Sequence, residues 1–267
     1  MVKKKQILVI GNNTTATINN PYIFASNDGG VTWYRILLNI AFNQRILQSV
    51  SINQLSNNYR IIIQYSTFDN NSFGVLSFDI TNLEQLFSSS TNYIINISTV
   101  NDNNGGIYTN NLSVINGQNI MVGNGISTFI VDSLTFNTPV NTNYTYYDIY
   151  CYNNNECIAV GDNIISYTID GGTNWSNINN TDIIDSNNVA PFIKLKSVFI
   201  YDSFNAVSVS DDGKFLYSTA WKDGIWKLVN DNLLNSSGIK DILVGSNNDL
   251  RQIFMPDVNT FIISNVI

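Results

Sequence analysis

One eight-residue phrase occurs twice in this chain, and it constrains the fold more tightly than any other feature. Ser26-Asn27-Asp28-Gly29-Gly30-Val31-Thr32-Trp33 returns as Thr168-Ile169-Asp170-Gly171-Gly172-Thr173-Asn174-Trp175. Each copy follows a short apolar run, Tyr22-Ile23-Phe24-Ala25 or Ile164-Ile165-Ser166-Tyr167, and reads as strand, tight turn, strand. An Asp that opens a turn accepts hydrogen bonds from backbone N–H groups about two residues on. The Gly pair supplies positive φ without steric cost, as hairpin loops demand. Trp33 and Trp175 begin the returning strand, where a large ring covers the turn and buries apolar area. Every part of the phrase serves to close a hairpin.

Spacing turns the phrase into a repeat. The two Trp anchors stand three steps of roughly 47 residues apart, and a period of that size marks propeller blades. Weaker copies fall between and after them: Ser77 to Leu83, Ile130 to Phe136, and Ser218 to Trp226, the last with Asp223-Gly224 and Trp226 in place but one residue inserted. The segments upstream also align, Asp148-Ile149-Tyr150-Cys151 with Ser197-Val198-Phe199-Ile200, and Cys157 to Gly161 with Asn205 to Ser208. Units rich in Ile, Val, Phe and Tyr, broken by Asn, Asp, Ser and Gly turns, are expected over 46–98, 108–142, 147–180 and 196–229. The two ends read as partial units, and no segment carries a convincing helical period.

The phrase S/T-x-D-x-G-x-T/N-W resembles the Asp-box, or BNR repeat, of sialidases, sortilin-type receptors and photosystem II assembly-factor-like propellers. The resemblance implies an all-β fold: a β-propeller of four-stranded blades spanning 1–267 as a single domain. Six blades are expected, with five as the alternative, in a ring closed by pairing the N- and C-terminal strands so that no sheet edge stays open. It also makes Asp28, Gly30, Trp33, Asp170, Gly172 and Trp175 structural residues. In such propellers the Asp-box turns lie on the face opposite the inter-blade loops, which are the usual binding surface. The loops over 137–147, with Tyr144, Tyr146 and Tyr147, and over 176–194, with Asp182 and Asp185, are therefore the expected partner contacts. The alternative for the tyrosines is padding between blades.

Cys151 and Cys157 flank a five-residue loop that brings their Cα atoms within disulfide reach. Propellers of the photosystem II assembly-factor type often carry a Cys pair at the equivalent hairpin. In a reducing cytosol the pair would remain thiols, so both states are open.

Charge narrows the partners. A net charge of −7 and a pI near 4.4 disfavour nucleic acid and anionic membrane. Lys3-Lys4-Lys5 reads as a solvated terminus, and the apolar run after it is too short for a signal peptide. No stretch approaches a transmembrane helix, so a cytoplasmic or virion location is expected. About one residue in six is Asn. Together with abundant Ile this points to AT-rich coding, as in a large DNA virus, and to a virion-associated role as its extension.

Chemistry is sparse. The chain has no His, which removes Ser-His-Asp and Cys-His arrangements and nearly all zinc sites. Glu84 and Glu156 are its only glutamates. The sialidase resemblance implies three Arg around a substrate carboxylate. Here Tyr34-Arg35-Ile36 follows the box instead of preceding it, Tyr59-Arg60-Ile61 lacks the family's Pro, and only Arg45 and Arg251 remain. Asp102 to Gly106 lacks an acid at the far end of a calcium loop. No metal and no cofactor are expected. The expectation is a non-enzymatic protein-interaction or assembly module, with a carbohydrate-binding or glycosidase-like propeller, and hence a glycan partner, as the alternative.

Overall fold

The computed structural model describes residues 7–15, 18–36, 45–55, 57–67, 72–87, 96–101, 111–115, 118–130, 135–136, 140–179, 193–211, 213–229, 250–257 and 260–265. The chain divides into two compact units, one from 1–119 and 129–136, the other from 120–128 and 137–267.

In the first unit, β1 (Ile7–Thr15), β2 (Ile18–Ser26) and β3 (Tyr34–Ile36) form one antiparallel sheet. A second sheet runs in order through β4 (Arg45–Gln54), β5 (Tyr59–Thr67), β6 (Ser72–Ile80) and β7 (Asn96–Asn101). Then come β8 (Asn111–Ile115), the long β9 (Gln118–Ile130), whose residues 120–128 belong to the second unit, and β10 (Thr135–Phe136). The second unit continues with β11 (Val140–Cys151), β12 (Cys157–Gly161), β13 (Ile164–Thr168) and β14 (Ser176–Asn179), each paired to the next. It is completed by a four-stranded sheet of β15 (Leu195–Ile200), β16 (Ala206–Ser210), β17 (Phe215–Ala220) and β18 (Ile225–Val229), and by the pair β19 (Leu250–Asp257) and β20 (Thr260–Asn265).

Every ladder is antiparallel, as the hairpin signals require. Among the described residues there is no α-helix, only 3-10 turns at Leu83–Phe87 and Trp221–Asp223. The fold is thus all-β with up-and-down strand order. Two differences from the sequence reading stand out. Residues 140–147, expected as an inter-blade loop, form the first half of β11, which pairs with β9 at Val140↔Ile126 and Thr145↔Asn124. The Asn and Thr residues that look like loop chemistry alternate there with Tyr144 and Tyr146, and that alternation suits a strand. Within the unit expected over 108–142, β9 runs thirteen residues without a break.

The same strand is buried in three repeats. Residues 61–65 of β5, all of β12 and all of β16 are buried on both faces. Strands covered on both sides read as continuous apolar or small-residue runs, and Ile61-Ile62-Ile63, Cys157-Ile158-Ala159-Val160-Gly161 and Ala206-Val207-Ser208-Val209-Ser210 do so. Burying one Ile side chain contributes about 1.5–3 kcal/mol, so these central strands carry much of the stability. In the first unit Ile61, Ile63, Leu76 and Phe78 pack with Ile23 of β2 and Leu47 of β4. In the second, Ile158 and Val160 of β12 pack with Leu195, Val198, Leu216 and Trp221. In each unit the face of one sheet therefore packs on the sheet that follows: β1–β3 on β4–β7, and β11–β14 on β15–β18.

Candidate functional site

The repeated phrase builds the same turn twice. Gly29 and Gly30 have φ of 79° and 95°, and Gly171 and Gly172 have 78° and 86°, the left-handed region that the Gly pair is there to supply. The bonding partners differ from expectation. Asp28 Oδ1 accepts from the N–H groups of Val31 (3.0 Å) and Thr32 (2.9 Å), three and four residues on. The nearer N–H groups go to a hydroxyl: Ser26 Oγ accepts from Asp28 (3.4 Å) and Gly30 (2.8 Å), and donates to Asp28 Oδ1 at 2.8 Å. Thr168 repeats this with Asp170 and Gly172 at 3.4 and 3.0 Å, while Asp170 Oδ1 accepts from the Asn174 N–H at 2.9 Å. The carboxyl groups respond. The Thr32 N–H leads the bonds that draw Asp28 down to about 2, and the Asn174 N–H leads those that hold Asp170 below the usual carboxylate range.

The hydroxyl persists where the Asp does not. In the third turn Ser218 stands where Ser26 and Thr168 stand, and its Oγ accepts from the Ala220 N–H at 3.1 Å. Ala220 occupies the Asp position, and the inserted residue is taken up by the 3-10 turn that ends at Gly224 with φ 74°. In the weaker copy at Ser77 the Asp does not open the turn: Asp79 lies within β6 opposite Arg60 and binds it at 2.6 and 2.8 Å, and the chain turns only after Ile80. Trp175 lies over its turn, its Nε1 3.8 Å from where a Cβ on Gly172 would sit, whereas Trp33 is 42% exposed.

A second repeated device lies along the first strands. β4, β11, β15 and β19 each shift register against the strand that follows, between Leu47 and Ser49, Tyr146 and Asp148, Leu195 and Ser197, and Leu250 and Gln252, and β19 does so again between Phe254 and Asp257. Such bulges bend a strand and re-aim the residue that follows. In the second unit that residue is a hook. Asp148 Oδ2 accepts from Ser197 Oγ (2.8 Å) and the Val198 N–H (2.9 Å) of β15, and Ser197 Oγ in turn accepts from the Ile253 N–H (3.3 Å) of β19. Asp148 and Ser197 are the residues that the sequence repeat aligned, and both are buried. Their alignment is visible in the sequence, but no local pattern assigns either side chain a role.

No family model matches the sequence, and no curated protein matches it. Among solved structures one titled "YCF48 bound to D1 peptide" is similar at 14% identity and a TM-score of 0.35, over 75% of this chain and 86% of that chain.

The remaining candidate residues fall as follows. Tyr146 is fully buried, with its hydroxyl 2.6 Å from Ser166 Oγ, and burial pushes it up to about 12. It fills the interior and offers nothing to a partner. Tyr144 meets its ring edge-on at 6.4 Å. Tyr147 is half-buried, donates to Asp162 Oδ2 at 3.1 Å and lies under Lys196, whose Nζ is 3.6 Å from the ring centroid. Asp182 and Asp185 lie outside the described residues. Cys151 and Cys157 face each other in the β11–β12 register and are joined in a disulfide, Cα atoms 4.0 Å apart. The hairpin that they close presents Glu156, which accepts from Ser203 Oγ at 3.3 Å and pairs with Lys222. Among the described residues no three His, Cys, Asp or Glu gather as metal ligands, and no helix is long and apolar enough to cross a membrane.

Proposed function

We propose that the chain is an Asp-box β-propeller of five or six blades, closed by its terminal strands, that works as a non-enzymatic protein-interaction or assembly module. The observation that carries this is the hook repeated along the first strands: Asp148 to Ser197 and Val198, then Ser197 to Ile253. The same residue position, after the same bulge, ties one up-and-down sheet to the following one, which is how a radially repeated sheet is joined. Three central strands buried on both faces fit sheets stacked between neighbours.

The carboxyl chemistry favours a scaffold. Among the described residues Asp28, Asp170 and Asp202 are each held below the ordinary carboxylate range. A general acid in glycoside cleavage needs the opposite shift. Arg60 is spent on Asp79. What the repeats leave exposed is a set of turns on a rigid frame, the arrangement that binding proteins use.

The test is capture by the tagged full chain from its native source, with crosslinking and mass spectrometry. A protein partner crosslinked to the chain is the expected result. Turnover of aryl glycosides or sialosides by the purified chain would replace this reading with the glycosidase alternative.

A further inference from the structure

Four turns at one end of strands β11 to β18 are bonded into a single surface. Asn155 O accepts from the Gly171 N–H at 3.0 Å, joining the β11–β12 turn to the β13–β14 turn. Glu156 joins the β11–β12 turn to both turns of the next sheet, through Ser203 Oγ and Lys222. Those two turns are joined to each other, since Trp221 donates its N–H to Phe204 O at 3.5 Å and its Nε1–H to Asp202 O at 3.2 Å.

Each of these turns also carries a large apolar side chain in water. Phe204 is 66% exposed, Ile169 57%, Ile225 51% and Tyr152 42%. Single exposed apolar residues are ordinary, whereas several on one connected surface mark a contact site. The charges around them are predominantly negative. Residues 152–156, 169–175, 201–205 and 220–225 hold four carboxylates, Glu156, Asp170, Asp202 and Asp223, and one cation, Lys222, which is engaged by Glu156. Asp202 stays ionised because bonds from Asn205 and Phe204 outweigh the upward pull of its burial.

We propose that these four turns are a docking surface for a protein segment that sets Lys or Arg beside large apolar side chains. The apolar residues supply area, and the carboxylates select a cationic partner and speed its approach. A second copy of the chain is the wrong occupant, because it would bring the same carboxylates face to face and carries −7 itself. The proposal rests on the interaction-module reading and gives that reading a surface and a partner chemistry.

The test is selection of a random twelve-residue phage-displayed peptide library on the full chain, followed by binding measurements with the enriched peptides. Sequences that combine Lys or Arg with Phe, Leu, Ile or Trp are expected. Their affinity should fall tenfold or more on the double variant Phe204→Asp/Ile225→Asp and several-fold on Asp223→Lys. It should weaken as salt rises, and should be unchanged on Val31→Asp, an exposed residue outside this surface. All four positions are exposed, so the variants are expected to keep the wild-type thermal midpoint. No enrichment, enrichment of acidic or uncharged peptides, or equal affinity for the double variant overturns the proposal. A native partner captured equally by wild type and the double variant also overturns it while leaving the interaction reading intact. Capture of no native partner by wild type defeats that reading instead, whatever the library returns.

Discussion

Asp148 on β11 and Ser197 on β15 occupy the same place in consecutive repeats, and a carboxylate oxygen of the first accepts the hydroxyl of the second at 2.8 Å. Both are buried, and the same oxygen also takes the Val198 N–H, so removing it strands two buried donors. Asp148→Ala is expected to cost about 2–4 kcal/mol in urea unfolding, and Ser197→Ala about 1 kcal/mol. A double-mutant cycle should return a coupling of about 1 kcal/mol or more, and a coupling near zero would show that the joint contributes nothing.

Acid should loosen the Asp-box turns. Asp28 is held at about 2 and Asp170 is also lowered, against an ordinary 3.8. A depressed folded-state pKa gives stability that is present above the unfolded value and lost as pH falls through the folded one. The thermal midpoint should therefore hold from pH 7 to about 5 and decline from about pH 4 towards 2. In Asp28→Asn and Asp170→Asn the midpoint at neutral pH should be lower and the acid decline shallower. A decline of unchanged steepness in both variants would place the acid response elsewhere.

Two glycines should answer very differently to alanine. A Cβ on Gly161 would stand 1.9 Å from Thr145 O and 2.8 Å from Tyr146 Cα, both backbone atoms at the β11 bulge. Gly161→Ala must displace β11 from β12, and a loss above about 3 kcal/mol is expected. Gly29 has open space around it and only the conformational cost of φ 79°, so Gly29→Ala should lose about 1 kcal/mol. Equal losses would contradict the close approach at Gly161.

Reduction should be felt at the β11–β12 hairpin. Cys151 and Cys157 are six residues apart in sequence, and closing so short a loop is worth about 2 kcal/mol in the chain-entropy account. Dithiothreitol should lower unfolding stability by about that amount, and Cys151→Ser/Cys157→Ser should match the reduced chain and ignore the reductant. An equal response to reductant in the double variant would locate the effect elsewhere.

Local chemistry was legible in the sequence. The repeated Asp-Gly-Gly and Trp marked both hairpins, and the unit over 196–229 coincides with one four-stranded sheet while that over 147–180 covers only part of a seven-stranded one, because turn residues and strand alternation are encoded within a few positions and the pairing of β11 with β9 is not. Long-range roles were not legible. Ser26 and Thr168 open the repeated phrase, but no pattern in the sequence shows that their hydroxyls take the first N–H groups of each turn. Tyr144 to Tyr147 read as a loop because strand status there depends on β9 and β12 being alongside, which no local window contains. The hook from Asp148 crosses nearly fifty residues, and the only trace of it in the sequence is the alignment of Asp148 with Ser197.

Ring closure is the claim on which the propeller account depends most. Spin labels at Val9 on β1 and Ser264 on β20 test it by dipolar spectroscopy, with the native disulfide left in place. Strands paired in a sheet lie about 5 Å apart, so with label arms included a closed ring would give a distribution centred below about 25 Å. A distribution centred beyond about 40 Å would mean that the terminal strands do not meet, and would contradict it.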